Sequence, residues 1–301
     1  MSGNHQIKNY NRAFAIGILL NITFVIIEAV YGVISGSLAL IADAGHNLSD
    51  VLGLLLAWGA IWLASKKATE KRTYGFRKGT VLASLGSALL LLFSLAIITW
   101  EAIGRFSDPQ PVQGMTIIVV AAIGVVINTI TALLFISGQK DDLNIKGAYL
   151  HMAADAGVSL GVVVAGILVM QTGWPLVDPV TSLIIVVIIF IGGWSLLRDS
   201  VNLALDAVPE GIDMPGIRKY LSAIEHVAQI HDLHVWPIST TEVALTVHLI
   251  LDNDNRPQKN FLSQIQQQLH DDFDIEHSTI QIEAQNDEHC LLDPQAAAVK
   301  E

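Results

Sequence analysis

Six long apolar stretches constrain the fold of this 301-residue chain more than any other feature. A helix needs roughly 20 predominantly apolar residues to cross a bilayer, and each stretch is long enough. With 52% hydrophobic residues, the chain is also too apolar for an ordinary soluble domain. The sequence therefore predicts a polytopic α-helical membrane protein with six transmembrane helices, over residues 13–34, 38–63, 79–100, 114–137, 146–170 and 176–197.

The basic residues between these stretches alternate from loop to loop. The polar N-terminus, the second and fourth loops and the end of the sixth span carry Lys and Arg, whereas the other three loops carry Arg105 alone. Lys and Arg accumulate on the cytoplasmic side of membrane proteins. The pattern predicts that both termini are cytoplasmic, in the inner membrane if the source is bacterial. The first span is too long for a signal-peptide core, so we expect it to stay in the mature protein.

The C-terminal part of the chain differs sharply in charge from residues 1–207, the predicted transport domain. Residues 208–301 carry sixteen acidic and five basic side chains, which is the whole net charge of -11. Such a surface repels nucleic acid and concentrates cations. The apolar patterns predict a small cytoplasmic α+β domain with the ferredoxin-like order αββαβ and a loose tail after 286. Its elements are a helix at 215–227, strands at 230–238 and 242–251, a helix at 257–271 and a strand at 278–284.

Two matched His-x-x-x-Asp pairs lie inside apolar spans. His46 and Asp50 belong to the second span, and His151 and Asp155 belong to the fifth. Residues four apart share one face of a helix, so each pair can contribute two ligands to one ion. Ionisable groups at the centre of a bilayer cost several kcal/mol, so their presence in hydrocarbon needs a functional reason.

The predicted depths of the two pairs agree. At about 1.5 Å per residue, His46 and Asp50 lie roughly 12 and 18 Å below the outer surface. His151 and Asp155 lie roughly 8 and 14 Å above the opposite surface of a core about 30 Å thick. Two imidazoles and two carboxylates form a tetrahedral set whose charge balances that of Zn²⁺. The sequence therefore predicts an intramembrane zinc site, although either pair alone could be a hydrogen-bonding group between helices.

Other polar residues interrupt the spans and have less defined roles. Asp43 lies one heptad before Asp50, where it either lines the outer approach to the site or stabilises the helix N-terminus. We interpret the remaining intruders as interhelical hydrogen bonders or cavity lining: Asn21, Glu28, Asn128 and Asp178.

Strand parity predicts a second metal site in the C-terminal domain. With alternate apolar residues facing the helices, His234, His248 and Glu283 fall together on the opposite face of the sheet. Adjacent strands could bring these three side chains into one cluster. Three further potential ligands are interpreted as ordinary solvated side chains: His277, His289 and Cys290.

In several segments the sequence resembles the cation diffusion facilitator family of zinc-type, proton-coupled exporters. They are GSLALIADAGHNLSD at 36–50, YGFR at 74–77, HMAAD at 151–155, DP at 178–179 and HDLHVW at 231–236. The resemblance covers nearly the whole chain. It implies six transmembrane helices, a homodimer, and efflux of Zn²⁺, with cadmium and cobalt tolerated, by antiport against protons.

The resemblance also implies roles for particular residues. It supports regulatory metal at His234, His248 and Glu283 and adds His231 to that set. It implies a cytoplasmic charge interlock between Lys78 and Asp206. The histidine-rich stretch of many relatives between spans four and five is missing, because 139–144 contains no His.

Two other function classes are compatible with metal ligands in a membrane. An intramembrane metalloenzyme would need a general base such as that of His-Glu-x-x-His, and no such motif occurs. A metal sensor that uses its membrane part only as an anchor would not need ligands inside the spans. A stripe of small residues on the third span, Gly79, Ala83 and Ser87, favours close helix contact, either at a dimer axis or within one subunit.

Overall fold

The computed structural model describes residues 11–136, 143–252 and 260–284, which form eight helices and three strands. The predicted tail after 286, including His289 and Cys290, lies outside these residues. Six long helices come first: α1 (Asn11–Ser35), α2 (Leu38–Ala64), α3 (Gly79–Ser107), α4 (Gly114–Phe135), α5 (Leu143–Thr172) and α6 (Val177–Ala204). The C-terminal elements follow: α7 (Met214–Ser222), β1 (Val227–Pro237), β2 (Val243–Leu251), α8 (Phe261–Phe273) and β3 (His277–Ala284).

Four helices of the described residues are long and apolar enough to cross a membrane. They comprise α3, most of α4, the part of α5 from Tyr149, and α6. In α1 the described apolar stretch, Leu19–Ser35, is shorter. The helix α2 has 27 residues and carries Asp43, His46 and Asp50.

The chain forms two compact units. The first contains residues 1–56 and 86–197, and the second contains 57–85 and 198–301. The core of the first unit is apolar and interhelical, with Phe24, Leu40, Ile117, Val162 and Ile185 almost fully buried.

Glycines permit the closest helix contacts in the first unit. A Cβ added to Gly166 of α5 would lie 2.8 Å from Ile118 Cγ1 of α4, and one added to Gly114 would lie 2.9 Å from the Gly166 carbonyl oxygen. Ser87 of the predicted small-residue stripe on α3 lies close to α2. A Cβ added to Gly53 of α2 would lie 3.3 Å from Ser87 Oγ. Ser87 therefore serves a contact within one subunit, whereas Gly79 has open space beside its Cα.

The C-terminal domain in the second unit contains a three-stranded sheet of order β1-β2-β3. The first pair of strands is antiparallel and the second is parallel. Its core joins Ile217 and Leu221 of α7 and Leu269 of α8 to the apolar residues of β2. The predicted order of two helices and three strands is confirmed.

The first C-terminal helix is shorter than the sequence predicts. We expected a helix over 215–227, but α7 ends at Ser222 and β1 already begins at Val227. His226 has a φ of 68°, which is outside the range of a right-handed helix. A helix through 227 is therefore excluded, and residues 227–229 belong to the sheet instead.

Candidate metal sites

The helices α2 and α5 carry the two His/Asp pairs of the first unit. His46 and Asp50 are one helical turn apart on α2, and His151 and Asp155 are one turn apart on α5. The spacing places each His above its Asp on the same helix face. All four residues lie within continuous helix, so their side chains project from rigid backbone.

The four predicted side chains lie together, with each imidazole near both carboxylates. His46 Nε2 is 3.7 Å from Asp50 Oδ2 and 3.5 Å from Asp155 Oδ1. His151 Nε2 is 3.2 Å from Asp50 Oδ2 and 3.6 Å from Asp155 Oδ2. The two imidazole rings meet edge to face, with their centroids 6.1 Å apart.

The nitrogen–oxygen separations are close to those expected between neighbouring ligands of a tetrahedral zinc site. With metal–ligand bonds of 2.0–2.2 Å, neighbouring ligand atoms of a regular tetrahedron are about 3.4 Å apart. The four nitrogen–oxygen distances of 3.2 to 3.7 Å bracket that value. Three of the residues, Asp50, His151 and Asp155, also bring one ligand atom each to within 4.8 Å of the other two.

The carboxylates are sheltered but retain acceptor capacity. The Asp155 side chain is 4% exposed and that of Asp50 is 32% exposed. Neither Oδ2 atom accepts a hydrogen bond from the described residues. Buried carboxylate oxygens without donors are costly unless a cation compensates them, which is the role that a bound metal would fill.

Further buried polar groups surround this site. Asn47 donates to Glu28 Oε2 at 3.3 Å, and Ser159 donates to Asp43 Oδ2 at 3.1 Å. Asn21 contacts the sulfur of Met152 at 3.4 Å. These contacts join α1, α2 and α5, as expected for interhelical hydrogen bonders. Sequence reasoning did not include Asn47 and Ser159, although both lie on the same helices as the ligand pairs.

Asp178 has a structural position at the start of α2. Its carboxylate accepts from Ser37 Oγ at 2.5 Å and from the backbone N–H groups of Leu38 and Ala39 at 2.8 and 3.3 Å. Arg105 Nη1 lies 3.5 Å from the same carboxylate. Asp178 therefore caps the helix that carries His46 and Asp50, and it is not near them as a ligand.

A second cluster of potential ligands lies in the three-stranded sheet. The β1–β2 register places His231 opposite His248. His231 Nε2 is 2.8 Å from Glu283 Oε2, and His248 Nδ1 is 2.7 Å from Glu283 Oε1. These three side chains are largely shielded from solvent and can offer a metal two nitrogens and a carboxylate.

The other predicted ligand, His234, lies beside this cluster and not within it. The β1 register shifts between His231 and His234, and Asp232 adopts a φ of 50° at the irregularity. Asp232 Oδ1 is 2.9 Å from His234 Nε2, and its Oδ2 is 3.6 Å from His248 Nε2. Strand parity does not reveal Asp232 because a bulge changes which side chains share a face. His277 packs its ring against Tyr74, with centroids 5.6 Å apart.

Comparisons with known proteins cover both parts of the chain. The family model described as the cation efflux transmembrane domain matches residues 14–203. The model described as the cation efflux protein cytoplasmic domain matches residues 209–285. The two matches together span nearly all of the described residues.

Characterised relatives match over most of their length. A metal cation efflux system protein, CzcD of Cupriavidus metallidurans, is 38% identical over 90% of this chain and 86% of its own. A cadmium, cobalt and zinc/H(+)-K(+) antiporter of Bacillus subtilis is 36% identical over 96% and 94%. The zinc transporter ZitB of Escherichia coli is 36% identical over 87% and 84%.

The solved structures that match include one of a C-terminal domain. It is described as the metal-bound C-terminal domain of the CzcD transporter and is 38% identical to this chain. It covers 24% of this chain and 99% of its own, with a TM-score of 0.23. The identity shows that the C-terminal part of this chain is similar in sequence to that domain.

Proposed function

Since the chain belongs to the cation efflux family, whose members are metal cation transporters and not enzymes, we propose that it exports Zn²⁺ by antiport against protons. The proposed transport site consists of His46, Asp50, His151 and Asp155. One observation carries the proposal: two helices bring each of two imidazoles to within 3.2 to 3.7 Å of an oxygen of each of two carboxylates. Family membership excludes the intramembrane metalloenzyme that the sequence left open.

The donor set supports zinc as the first cargo. Two imidazole nitrogens and two carboxylate oxygens suit Zn²⁺, whereas sites built only from oxygen favour harder ions such as Mn²⁺. The names of the relatives fit the same range, since they include zinc alone or zinc with cadmium and cobalt. We therefore expect Cd²⁺ and Co²⁺ to be accepted as secondary cargoes.

The same ligands provide a physical route to proton coupling. An imidazole binds metal only in its neutral form, so a proton and a metal ion compete for the same nitrogen. His46 and His151 are therefore natural points of exchange, and each lies within 3.7 Å of both carboxylates. In the proposed cycle, metal enters from the cytoplasm, the site becomes accessible from outside, and protonation favours release.

We further propose the architecture in which this cycle operates. The six long helices span the membrane, both termini are cytoplasmic, and the C-terminal domain has a ferredoxin-like fold. The match to a cytoplasmic domain model named for dimerisation supports a homodimer. In this arrangement the acidic domain faces the compartment from which metal is taken.

The C-terminal cluster is proposed as a regulatory metal site. His231, His248 and Glu283 would coordinate the ion. His234 would lie beside them, linked to His248 by the carboxylate of Asp232. A bound zinc there would tie β1, β2 and β3 together on the face away from the helices. Metal would stabilise the domain only when cytoplasmic zinc is sufficient to load it.

A proteoliposome assay tests the transport site. We expect wild-type protein to take up zinc under a pH gradient and to move protons in the opposite direction. Asp50→Asn and Asp155→Asn each remove one of the two charges that balance the ion, so each should reduce uptake at least tenfold. Asp108→Asn, at an exposed position in the outer loop, is the matched control and should transport like wild type.

The same assay separates transport from metal sensing. A sensor with a membrane anchor would bind zinc at its C-terminal cluster and show no uptake in any arm. Wild-type uptake by both Asp50→Asn and Asp155→Asn would refute the proposed site. Uptake that does not respond to the pH gradient would refute proton antiport while leaving the site in place.

A further inference from the structure

The loop between α2 and α3 folds into a compact turn with an unusual charge. Residues 66–72, here called the basic turn, contain Lys66, Lys67, Lys71 and Arg72 against the single acid Glu70. The backbone N–H groups of Thr69 and Arg72 each donate to the other residue's carbonyl at 3.0 Å. Arg72 N also donates to Thr69 Oγ1 at 3.2 Å. The positive charges are thus presented by ordered backbone.

The basic residues of this loop divide into two groups. Arg77 pairs with Glu242 at 3.1 Å, and Lys78 pairs with Asp206 at 2.5 Å. These two are committed to acids of their own compact unit. By contrast, none of the four cations of the basic turn lies within ion-pairing distance of an acidic side chain of the described chain, and all four are exposed.

Aromatic rings flank the basic turn at both ends. Lys66 Nζ lies 4.1 Å from the ring centroid of Trp62, and Arg72 Cζ lies 4.6 Å from that of Phe76. Trp62 is 57% exposed near the end of α2, and α3 begins shortly after the turn at Gly79. Exposed Trp beside basic residues at the end of a membrane helix is typical of the interface with lipid headgroups.

We propose that the basic turn is a docking surface for the headgroups of anionic phospholipids in the cytoplasmic leaflet. The inference rests on the proposed topology, in which this loop is cytoplasmic. A juxtamembrane cluster of basic residues is attracted to the negative surface potential of that leaflet. The acidic residues of the C-terminal domain would repel the same lipids, so the basic turn offers the opposite charge beside the membrane.

Binding to soluble short-chain lipids tests this surface on the full-length protein in neutral detergent. The ligands are short-chain phosphatidylglycerol, short-chain phosphatidylcholine and inorganic phosphate. We expect phosphatidylglycerol to bind most tightly, and more weakly as salt rises. Lys67→Gln/Lys71→Gln, which leaves both cation–π contacts intact, should weaken that binding about tenfold. Glu70→Gln should strengthen it.

Arg218→Gln/Lys219→Gln is the matched control, because it removes two exposed charges from α7 in the C-terminal domain. This control should bind phosphatidylglycerol like wild type. Equal phosphatidylglycerol affinity of Lys67→Gln/Lys71→Gln and wild type would overturn the inference. So would equal binding of phosphatidylcholine, or phosphate binding as tight as that of the lipid.

Zinc uptake in phosphatidylcholine vesicles separates this inference from the proposed function. Lys67→Gln/Lys71→Gln should transport zinc there like wild type, because no charged lipid is present to engage the turn. If wild type itself transports no metal, the proposed function fails. Loss of phosphatidylglycerol binding in the same variant would still support the lipid surface.

Discussion

His46 decides the balance of nitrogen and oxygen donors in the proposed transport site. Its side chain lies within 3.7 Å of both carboxylates and is 13% exposed. A shorter acidic side chain at this position would therefore contribute to the same proposed site. His46→Asp would convert two nitrogens and two carboxylates into one nitrogen and three carboxylates. Harder ions gain relative to zinc as oxygen donors replace imidazole.

We therefore expect His46→Asp to lower zinc uptake at least tenfold and to raise the ratio of manganese to zinc transport. Uptake of the two metals into proteoliposomes measures both effects. His226→Asp, at a position on the surface of the C-terminal domain, is the matched control and should leave the ratio unchanged. An unaltered metal ratio in His46→Asp would contradict the assigned role.

The sequence was most informative about residues where one helix supplies the pattern. The four-residue spacing of His46 and Asp50 predicts a shared face without knowledge of tertiary structure. It cannot show that Asp178 caps α2, because that contact joins residues about 140 positions apart. Asp232 was missed for a related reason, since a bulge in β1 is a property of strand pairing and not of spacing.

At the scale of elements, the cap on α2 fixes the helix that carries half of the proposed site. Asp178 is 1% exposed and accepts from Ser37, Leu38 and Ala39, with Arg105 beside it. Asp178→Asn removes the charge that compensates a largely buried guanidinium. Breaking one partner of a buried ion pair costs about 3 kcal/mol of unfolding free energy or more.

Thermal unfolding of the full-length protein in detergent should show this loss. Glu101→Gln is the matched control, because Glu101 is a second acidic neighbour of Arg105 at 3.7 Å but is 56% exposed. Exposed pairs contribute about 1 kcal/mol or less, so Glu101→Gln should unfold nearly like wild type. Equal unfolding temperatures for Asp178→Asn and Glu101→Gln would show that the cap does not stabilise α2.

The contact between α4 and α5 depends on the absence of a side chain at Gly166. A Cβ there would approach Ile118 Cγ1 to 2.8 Å and the Ile118 backbone nitrogen to 3.1 Å. Overpacking of this kind costs about 1–3 kcal/mol. Gly166→Ala should therefore lower the unfolding temperature and displace α5, which carries His151 and Asp155.

Gly161, on the same helix, provides the control for Gly166. A Cβ at Gly161 would meet no heavy atom within 4 Å. Gly161→Ala should be neutral or slightly stabilising, because Ala favours helix by up to about 1 kcal/mol over Gly. Zinc uptake and thermal unfolding of the two variants give the comparison, and equal behaviour would refute close packing at Gly166.

Elements were predictable where hydrophobic periodicity was long and uninterrupted. The predicted spans over 79–100 and 176–197 correspond to α3 and α6, although both helices extend further in the structure. Helix ends were less predictable, as α7 shows. The predicted helix could not run on to 227, because His226 adopts a left-handed conformation and histidine does not by itself signal a turn.

At the scale of the whole molecule, acidic charge is concentrated in the C-terminal part of the chain. The six long helices carry few ionisable groups apart from those of the proposed site and its surroundings, whereas residues 208–301 carry the whole net negative charge. Within the second unit, Lys78 pairs with Asp206 and also donates to the carbonyls of Leu203 and Pro237 at 3.1 Å. The end of α6, the start of α3 and the sheet are thereby joined.

Composition and charge were sufficient to predict a polytopic membrane protein with a separate acidic domain. They could not predict how the compact units divide the chain. The ends of α2, α3 and α6 belong with the C-terminal domain, since Arg77 and Lys78 pair with Glu242 and Asp206. Such pairs join distant parts of the chain. The sequence offers many acidic residues as partners for each basic residue and does not indicate which one is used.

Anomalous X-ray scattering at the zinc absorption edge, from crystals of the full-length protein grown with zinc, tests the central claim most directly. We expect a peak about 2.0–2.2 Å from ligand atoms of His46, Asp50, His151 and Asp155. That peak should be absent from Asp50→Asn/Asp155→Asn crystals. A wild-type signal confined to the C-terminal cluster, with none between α2 and α5, would refute the proposed transport site.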